Sequence, residues 1–194
     1  MNEQNKKFLN ISLWLTIILF VIRCLISRNA VVTDLAQMHY ESFVYGIYGY
    51  AGEAIFFAMV FMTLFNKWLW KKRPFIFFTK TPVLSSHYTG SLISDYDKKE
   101  RNAELSINQT FLQVSVRMKT KESSSSSLSC ELKSTNASIL LLYIYQNDPN
   151  GEIQDDSPIH YGTAWFDLTD GTDKLYGYYY TGRKTKGSMT FVKG

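Results

Sequence analysis

Histidine and cysteine are scarce, with three of the former and two of the latter among 194 residues. His39, His87 and His160 are scattered without metal-ligand spacing, which removes the usual His/Cys centres from consideration. Asp155 and Asp156 with His160 come nearest to a ligand set, but charges ahead of Pro158 are better read as a solvated loop. Cys24 and Cys130 fall in different regions, so no structural disulfide is expected and a reducing cytoplasm fits. No nucleophile elbow, P-loop or paired-cysteine motif occurs. The expectation is a protein that is not an enzyme and carries no metal or cofactor. An excess of positive charge is also missing where it would matter. Residues 1–73 hold eight Lys and Arg against four Asp and Glu, and residues 74–194 hold thirteen of each, so the net charge of +4 belongs to the first part. The second part lacks the global basic field on which nonspecific DNA or RNA binding relies, and any anion site in it is local.

Long apolar runs, by contrast, are present. Residues 8–26, FLNISLWLTIILFVIRCLI, carry one charge, Arg23, and residues 43–65, FVYGIYGYAGEAIFFAMVFMTLF, carry one, Glu53. Each is long enough at about 1.5 Å per residue to cross a hydrocarbon core, and Tyr40, Trp68 and Trp70 flank the second as an aromatic belt. The reading is a membrane hairpin over residues 1–73. A signal peptide is the rival for the first run, opposed by the lack of a small-x-small cleavage site and by the second run. Lys6 and Lys7 precede the first run, Lys67, Lys71, Lys72 and Arg73 follow the second, and the intervening 28–42 holds only Arg28. By the positive-inside rule both termini face the cytoplasm and 28–42 is a short outer loop.

From residue 74 the pattern changes to short alternating segments rich in Val, Ile, Thr, Tyr and Phe, separated by turn residues. Eight strands are expected, near 87–96, 103–109, 111–120, 126–133, 138–146, 159–168, 174–181 and 187–193. In FLQVSVRMKT the alternation sets Leu112, Val114, Val116 and Met118 on a buried face and Phe111, Gln113, Ser115, Arg117 and Lys119 opposite. Five serines, Ser123 to Ser127, look like an exposed hairpin connection. Closing eight short strands removes both sheet edges, so residues 74–194 are expected to form a small antiparallel eight-stranded β-barrel, with a sandwich as the alternative.

Two places carry polar chemistry. Glu53 is deep in the second apolar run, near the depth expected for Thr16, and is either a protonated acid bonded within the hairpin or a polar group lining an assembly. Gly49 and Gly52, with Gly46, Ala51, Ala54 and Ala58, would admit a second helix closely or pack the hairpin onto itself. The other place is LYGYYYTGRKTKG, residues 175–187, in which Tyr176, Tyr178 and Tyr180 share one strand face, and Leu175, Gly177, Tyr179 and Thr181 the other. Arg183, Lys184 and Lys186 follow in or near a turn at a barrel mouth, where they either clamp phosphate beside a stacking tyrosine or form a solvated basic turn.

This organisation, with the ending YGTAWFDLTDGTDKLYGYYYTGRKTKGSMTFVKG, resembles the two-transmembrane, β-strand-rich effectors of bacterial CBASS anti-phage defence, which accompany cGAS-like nucleotidyltransferases. The most specific features are Gly162 to Ala164 and the pattern G-Y-x-x-T-x-R-x-T-x-G from Gly177 to Gly187. The resemblance implies a barrel that senses a cyclic dinucleotide or related cyclic oligonucleotide. It also implies a hairpin that self-associates in the inner membrane and disrupts it. It assigns ligand contacts to Thr181 and Arg183, supported by Tyr178 and Lys186; the residues themselves add Tyr180 and Lys184 to that site and point to Glu53, Gly49 and Gly52 for membrane assembly. Two other functions remain open from the residues: an anchored barrel that binds lipid or another apolar ligand, and a noncatalytic scaffold docking through residues 139–145.

Overall fold

The computed structural model describes residues 3–135, 138–154 and 157–194, so Asp155 and Asp156 lie outside the described residues. The chain divides into two compact units, Met1–Phe75 and Ile76–Gly194.

In the first unit, helix α1 (Glu3–Ile26) and helix α3 (Tyr40–Lys67) are both long and apolar enough to cross a membrane. The segment expected as an outer loop is mostly helical instead: α2 spans Arg28–Ala36. The cause is local. Ser27 N–H donates to the Arg23 carbonyl and Val31 N–H to the Ser27 carbonyl, both at 3.1 Å, so the i→i−4 ladder runs on through Ser27. The turn comes only at Met38, which takes φ 57°. Prolonging the first arm this way resets which residues meet across the hairpin. Arg23 lies thirteen positions before Ala36, and Glu53 thirteen positions after Tyr40. The Arg23 Nε accordingly donates to Glu53 Oε2, its Nη1 donates to Ser27 Oγ, and the guanidinium lies 4.5 Å from the Tyr50 ring centroid. Glu53 is thus ion-paired with Arg23 rather than set beside Thr16, whose hydroxyl donates within its own helix to the Ser12 carbonyl at 2.9 Å. A carboxylate and a guanidinium that neutralise each other expose less net charge to lipid than either alone.

The second unit begins within α4 (Phe75–Thr79), and a segment without regular structure leads from there to the first strand. Eight strands follow: β1 (His87–Ser94), β2 (Glu100–Gln109), β3 (Val114–Thr120), β4 (Ser123–Ser134), β5 (Ile139–Pro149), β6 (His160–Asp167), β7 (Lys174–Thr181) and β8 (Lys186–Lys193). Each pairs antiparallel with the next, and β8 returns to β1 from Tyr88↔Lys193 to Ser94↔Gly187. The sheet is one closed barrel with no free edge, not two packed layers.

Alternation then sorts the side chains. Leu105, Val116, Leu141, Phe166, Leu175, Met189 and Phe191 point inward and are buried. Each such apolar side chain contributes about 1.5–3 kcal/mol on burial. One end of the barrel is plugged: Gln109 accepts from Leu84 N–H and donates to the Pro82 carbonyl, both at 2.9 Å, holding Leu84 in the core. Tyr88 accepts from Ser85 N–H at 2.9 Å and donates to the Thr172 carbonyl at 2.8 Å at the same end.

Two expectations are corrected here. The serine run is not a hairpin connection but the start of β4, paired with both β3 and β5. The connection is only Lys121 and Glu122, because the Thr120 hydroxyl accepts from Glu122 N–H at 3.2 Å and from Ser123 N–H at 2.9 Å and tightens the turn. A bulge between Ser127 and Ser129 is bridged by the Ser127 hydroxyl, which accepts from Val116 N–H at 2.9 Å in place of a ladder bond. Phe111, assigned by alternation to the polar face, is buried. It sits in a turn in which Gln113 N–H bonds the Thr110 hydroxyl at 3.0 Å, ahead of the strand, so the strand period does not reach it.

Two luminal tyrosines lie across glycines. A Cβ built on Gly162 would stand 2.4 Å from the Tyr145 ring, and one on Gly187 would stand 2.5 Å from Tyr179 and 2.2 Å from the Ile93 carbonyl. Gly187→Val should therefore expel the Tyr179 ring and cost about 1–3 kcal/mol in thermal unfolding; unchanged stability would contradict this packing. In the first unit, Arg23→Ala and Glu53→Ala should each reduce the yield of membrane-inserted protein. The double variant should be milder than the sum, as for any pair in which each charge is the other's partner.

Candidate functional site

Four turns gather at the end of the barrel opposite the plug: β1–β2, β3–β4, β5–β6 and β7–β8. Between them opens a cavity of about 290 Å³ that runs down into the lumen. Its depth is ordered by strand alternation. Along β5, Asn147 stands at the rim, Tyr145 below it and Tyr143 at the floor, with buried Leu141 next beneath. Leu92, Met118 and Met189 complete the floor, and Tyr179 shares the middle level with Tyr145.

The rim is where charge collects. Arg101, at the inner side of β2, makes a two-pronged contact with Asp97 at 2.6 and 3.1 Å and donates to Glu122 at 2.8 Å. Hydrogen bonding from Arg101 holds the Asp97 carboxyl down at about 2, and both carboxylates raise Arg101 above its ordinary value. Arg183 Nη1 donates to Ser157 Oγ at 2.8 Å across the β5–β6 and β7–β8 connections. The Thr181 and Thr185 hydroxyls bond each other at 2.7 Å and close the β7–β8 turn, in which Lys184 takes φ 62°. His160 Nδ1 lies 2.9 Å from the Pro158 carbonyl, which can only accept, so a neutral His160 keeps Nε2 as an acceptor.

The floor has the opposite character. Tyr143 is 4% exposed, and among the described residues its hydroxyl has no hydrogen-bond partner. Burial pushes this phenol well above its ordinary range, as it does Tyr145. An unpaired buried hydroxyl costs about 1–3 kcal/mol, so the fold carries a penalty here that a suitable occupant can relieve.

Of the residues expected from sequence, Thr181 and Arg183 line this cavity. Tyr178, Tyr180 and Lys186 do not; they stand on the outer wall, with Tyr178 and Tyr180 packed at 5.5 and 5.6 Å from Trp165 and Tyr176 hydrogen-bonded to Tyr178 at 2.7 Å. Lys184 is in the turn beside the mouth. In the first unit, a Cβ on Gly49 or Gly52 would meet no atom within 4 Å, so the space beside these two glycines is open, while Glu53, one turn on from Gly49, is engaged by Arg23 of α1. Sequence reasoning missed Arg101, Tyr143, Tyr145, Tyr179 and His160. One signal was available: Tyr179 is in phase with Gly177 and Thr181, and small residues at that phase mark the crowded inner face. Nothing in a single sequence joins β2 to this group.

The profile of the family described as Cap15, cyclic dinucleotide receptor domain, matches residues 79–193. Over its whole length the chain is also similar to CD-NTase-associated protein 15 of Staphylococcus schleiferi, at 26% identity over 195 residues, covering 100% of this chain and 99% of that protein.

Cys130 faces Tyr143 across β4 and β5 and packs against the core. Burial, then the neighbouring Glu131, pushes its thiol up to about 12. At pH 8 it should stay protonated, and in a Cys24→Ser background iodoacetamide should label it at least about tenfold more slowly than in the unfolded chain. Equal rates would mean that the barrel wall is open at this position.

Proposed function

The chain belongs to the Cap15 cyclic dinucleotide receptor family, and from that premise we propose that it is a CBASS effector whose barrel lumen binds a cyclic dinucleotide or related cyclic oligonucleotide. The observation that carries the reading is the cavity's polarity. Two arginines stand at the rim, Arg101 held by the carboxylates of Asp97 and Glu122 and Arg183 bonded to the Ser157 hydroxyl, and three tyrosines line the shaft below them. Phosphate suits the guanidinium fork, and bases suit an aromatic wall. Thr181 and Arg183 remain ligand contacts, joined by Arg101, Tyr145 and Tyr179. Tyr178, Tyr180 and Lys186 stay on the outer wall in this reading, and Lys184 borders the mouth. The protein acts as a sensor and not as a catalyst.

The output of the sensor is assembly in the bacterial inner membrane, with α1 and α3 as the spans and both termini in the cytoplasm. A ligand shifts assembly only by its differential affinity for the assembled state. Occupied barrels therefore contact one another and gather hairpins through the side of α3 that carries Gly49, Gly52 and Glu53. The open space over Gly49 and Gly52 supports this, and Glu53, held by Arg23 within one chain, takes part by exchanging that partner on assembly. The apolar floor of Leu92, Met118 and Met189 favours a second reading, an apolar or lipid ligand.

The test is calorimetric titration of the full chain in lipid nanodiscs with a panel of cyclic dinucleotides. One of them should bind tightly, more weakly as salt rises, and Arg183→Ala should weaken it about tenfold or more. In dye-loaded vesicles the same ligand should trigger release that Glu53→Ala abolishes while binding persists. Absence of binding by every cyclic nucleotide, or affinity indifferent to salt, would move the apolar reading to the front.

A further inference from the structure

The cavity has a size and a polarity that together limit how such a ligand sits. Its volume of about 290 Å³ is at the bottom of the range of about 300–1,000 Å³ common for drug-sized ligands. A cyclic dinucleotide carries two bases, two sugars and two phosphates, and no more than one of its two nucleotide halves fits below the rim. The floor residues Leu92, Met118, Tyr143 and Met189 bear no charge, so a phosphate driven down to them would be desolvated without a counter-ion. At the rim, Arg183 offers a cationic donor, whereas the fork of Arg101 is held by Asp97 and Glu122 and reaches a phosphate only by exchanging them. Between the two levels stand the rings of Tyr145 and Tyr179.

Resting on the reading of the lumen as a cyclic dinucleotide site, we infer that the barrel reads one base only: that base enters edge first, stacks between Tyr145 and Tyr179, and hydrogen-bonds the Tyr143 hydroxyl, while both phosphates and the second base stay at the rim. Tyr143 is the specificity residue of the site. Its hydroxyl is shielded from solvent and partnerless among the described residues, so an occupant engages it only by reaching the floor and displacing the side chains that cover it. Its ring is already held, 5.9 Å from Tyr145 and stacked at 6.2 Å on Phe166. A rigid ring fixes the point at which its hydroxyl must be met and so discriminates by position, because a base edge that presents only C–H there leaves the penalty in place.

The experiment uses the full chain in nanodiscs and five probes: cyclic di-AMP, cyclic di-GMP, cyclic di-UMP, and the mixed cyclic AMP–UMP and AMP–GMP. If one base is read, a mixed ligand with one copy of the preferred base binds within about twofold of the symmetric ligand with two, the statistical factor alone. This comparison needs no variant. Tyr143→Phe should lower affinity for ligands carrying the preferred base about tenfold, towards that of the others. It should leave the melting temperature of the unliganded protein unchanged or higher, since it deletes an unsatisfied group. Arg183→Ala should weaken all five probes alike. A symmetric ligand that exceeds its mixed counterpart by more than about tenfold would overturn the inference, as would an unchanged base preference in Tyr143→Phe, and either result leaves the receptor reading intact. If no probe binds the unaltered chain, the receptor reading falls and this one with it.

Discussion

Pairing of β8 with β1 is the constraint on which the second unit depends. Once those strands meet from Tyr88↔Lys193 to Ser94↔Gly187, every strand has two neighbours, and the sheet has an inside and an outside with no edge to relax the distinction. A residue's parity then decides its environment. Closure also makes the interior a tube, and a tube has two ends that can be treated differently. At one end Gln109 ties down the segment at Pro82 and Leu84, and the large side chains Tyr88, Phe166 and Phe191 fill the space. At the other end the strands deliver Thr181, Asn147 and Arg101 to a ring around an open shaft.

The open shaft exists because its wall mixes large and absent side chains. Tyr145 and Tyr179 lie flat over Gly162 and Gly187 rather than across the tube, since the neighbouring strand has no Cβ to lift them. Rings laid against the wall leave the centre free and turn an aromatic core into an aromatic lining. Charge is then kept out of the depth by desolvation and held at the rim, where Arg101 finds Asp97 and Glu122 and Arg183 finds Ser157. The division between a charged mouth and an uncharged floor is therefore a consequence of solvation inside a narrow barrel and does not depend on any particular ligand.

In the first unit a comparable role falls to the Arg23–Glu53 pair. Each is the one charged residue of its apolar run, and each would be costly in hydrocarbon alone. Their meeting depends on α2 extending the first arm, so that equal lengths of helix run back from the turn to both residues. The position of a turn fixes an electrostatic partner thirteen residues away on each arm.

The amino-acid sequence by itself determined the elements: two apolar runs long enough to span a bilayer, eight strands of alternating period, and the absence of a metal-ligand or nucleophile motif. These are local properties, carried by hydropathy and by spacing of two or of three to four residues, and residues 174–181 were legible to their ends as a strand. Phe111 and the serine run were not, because turn chemistry at Thr110 and Thr120 moves the strand limits by a few residues and period alone does not see it. Which face of residues 174–181 lines the lumen was legible only through the small residues Gly177 and Thr181 in phase with Tyr179, since both faces carry tyrosine, and the register against β6 and β8 settles it. The company that Arg183 keeps was not legible. Arg101, Tyr143 and His160 join it from three other strands, and Glu53 finds Arg23 rather than Thr16, through pairings between residues tens of positions apart. Such contacts are properties of closure and packing, and only the tertiary structure decided them.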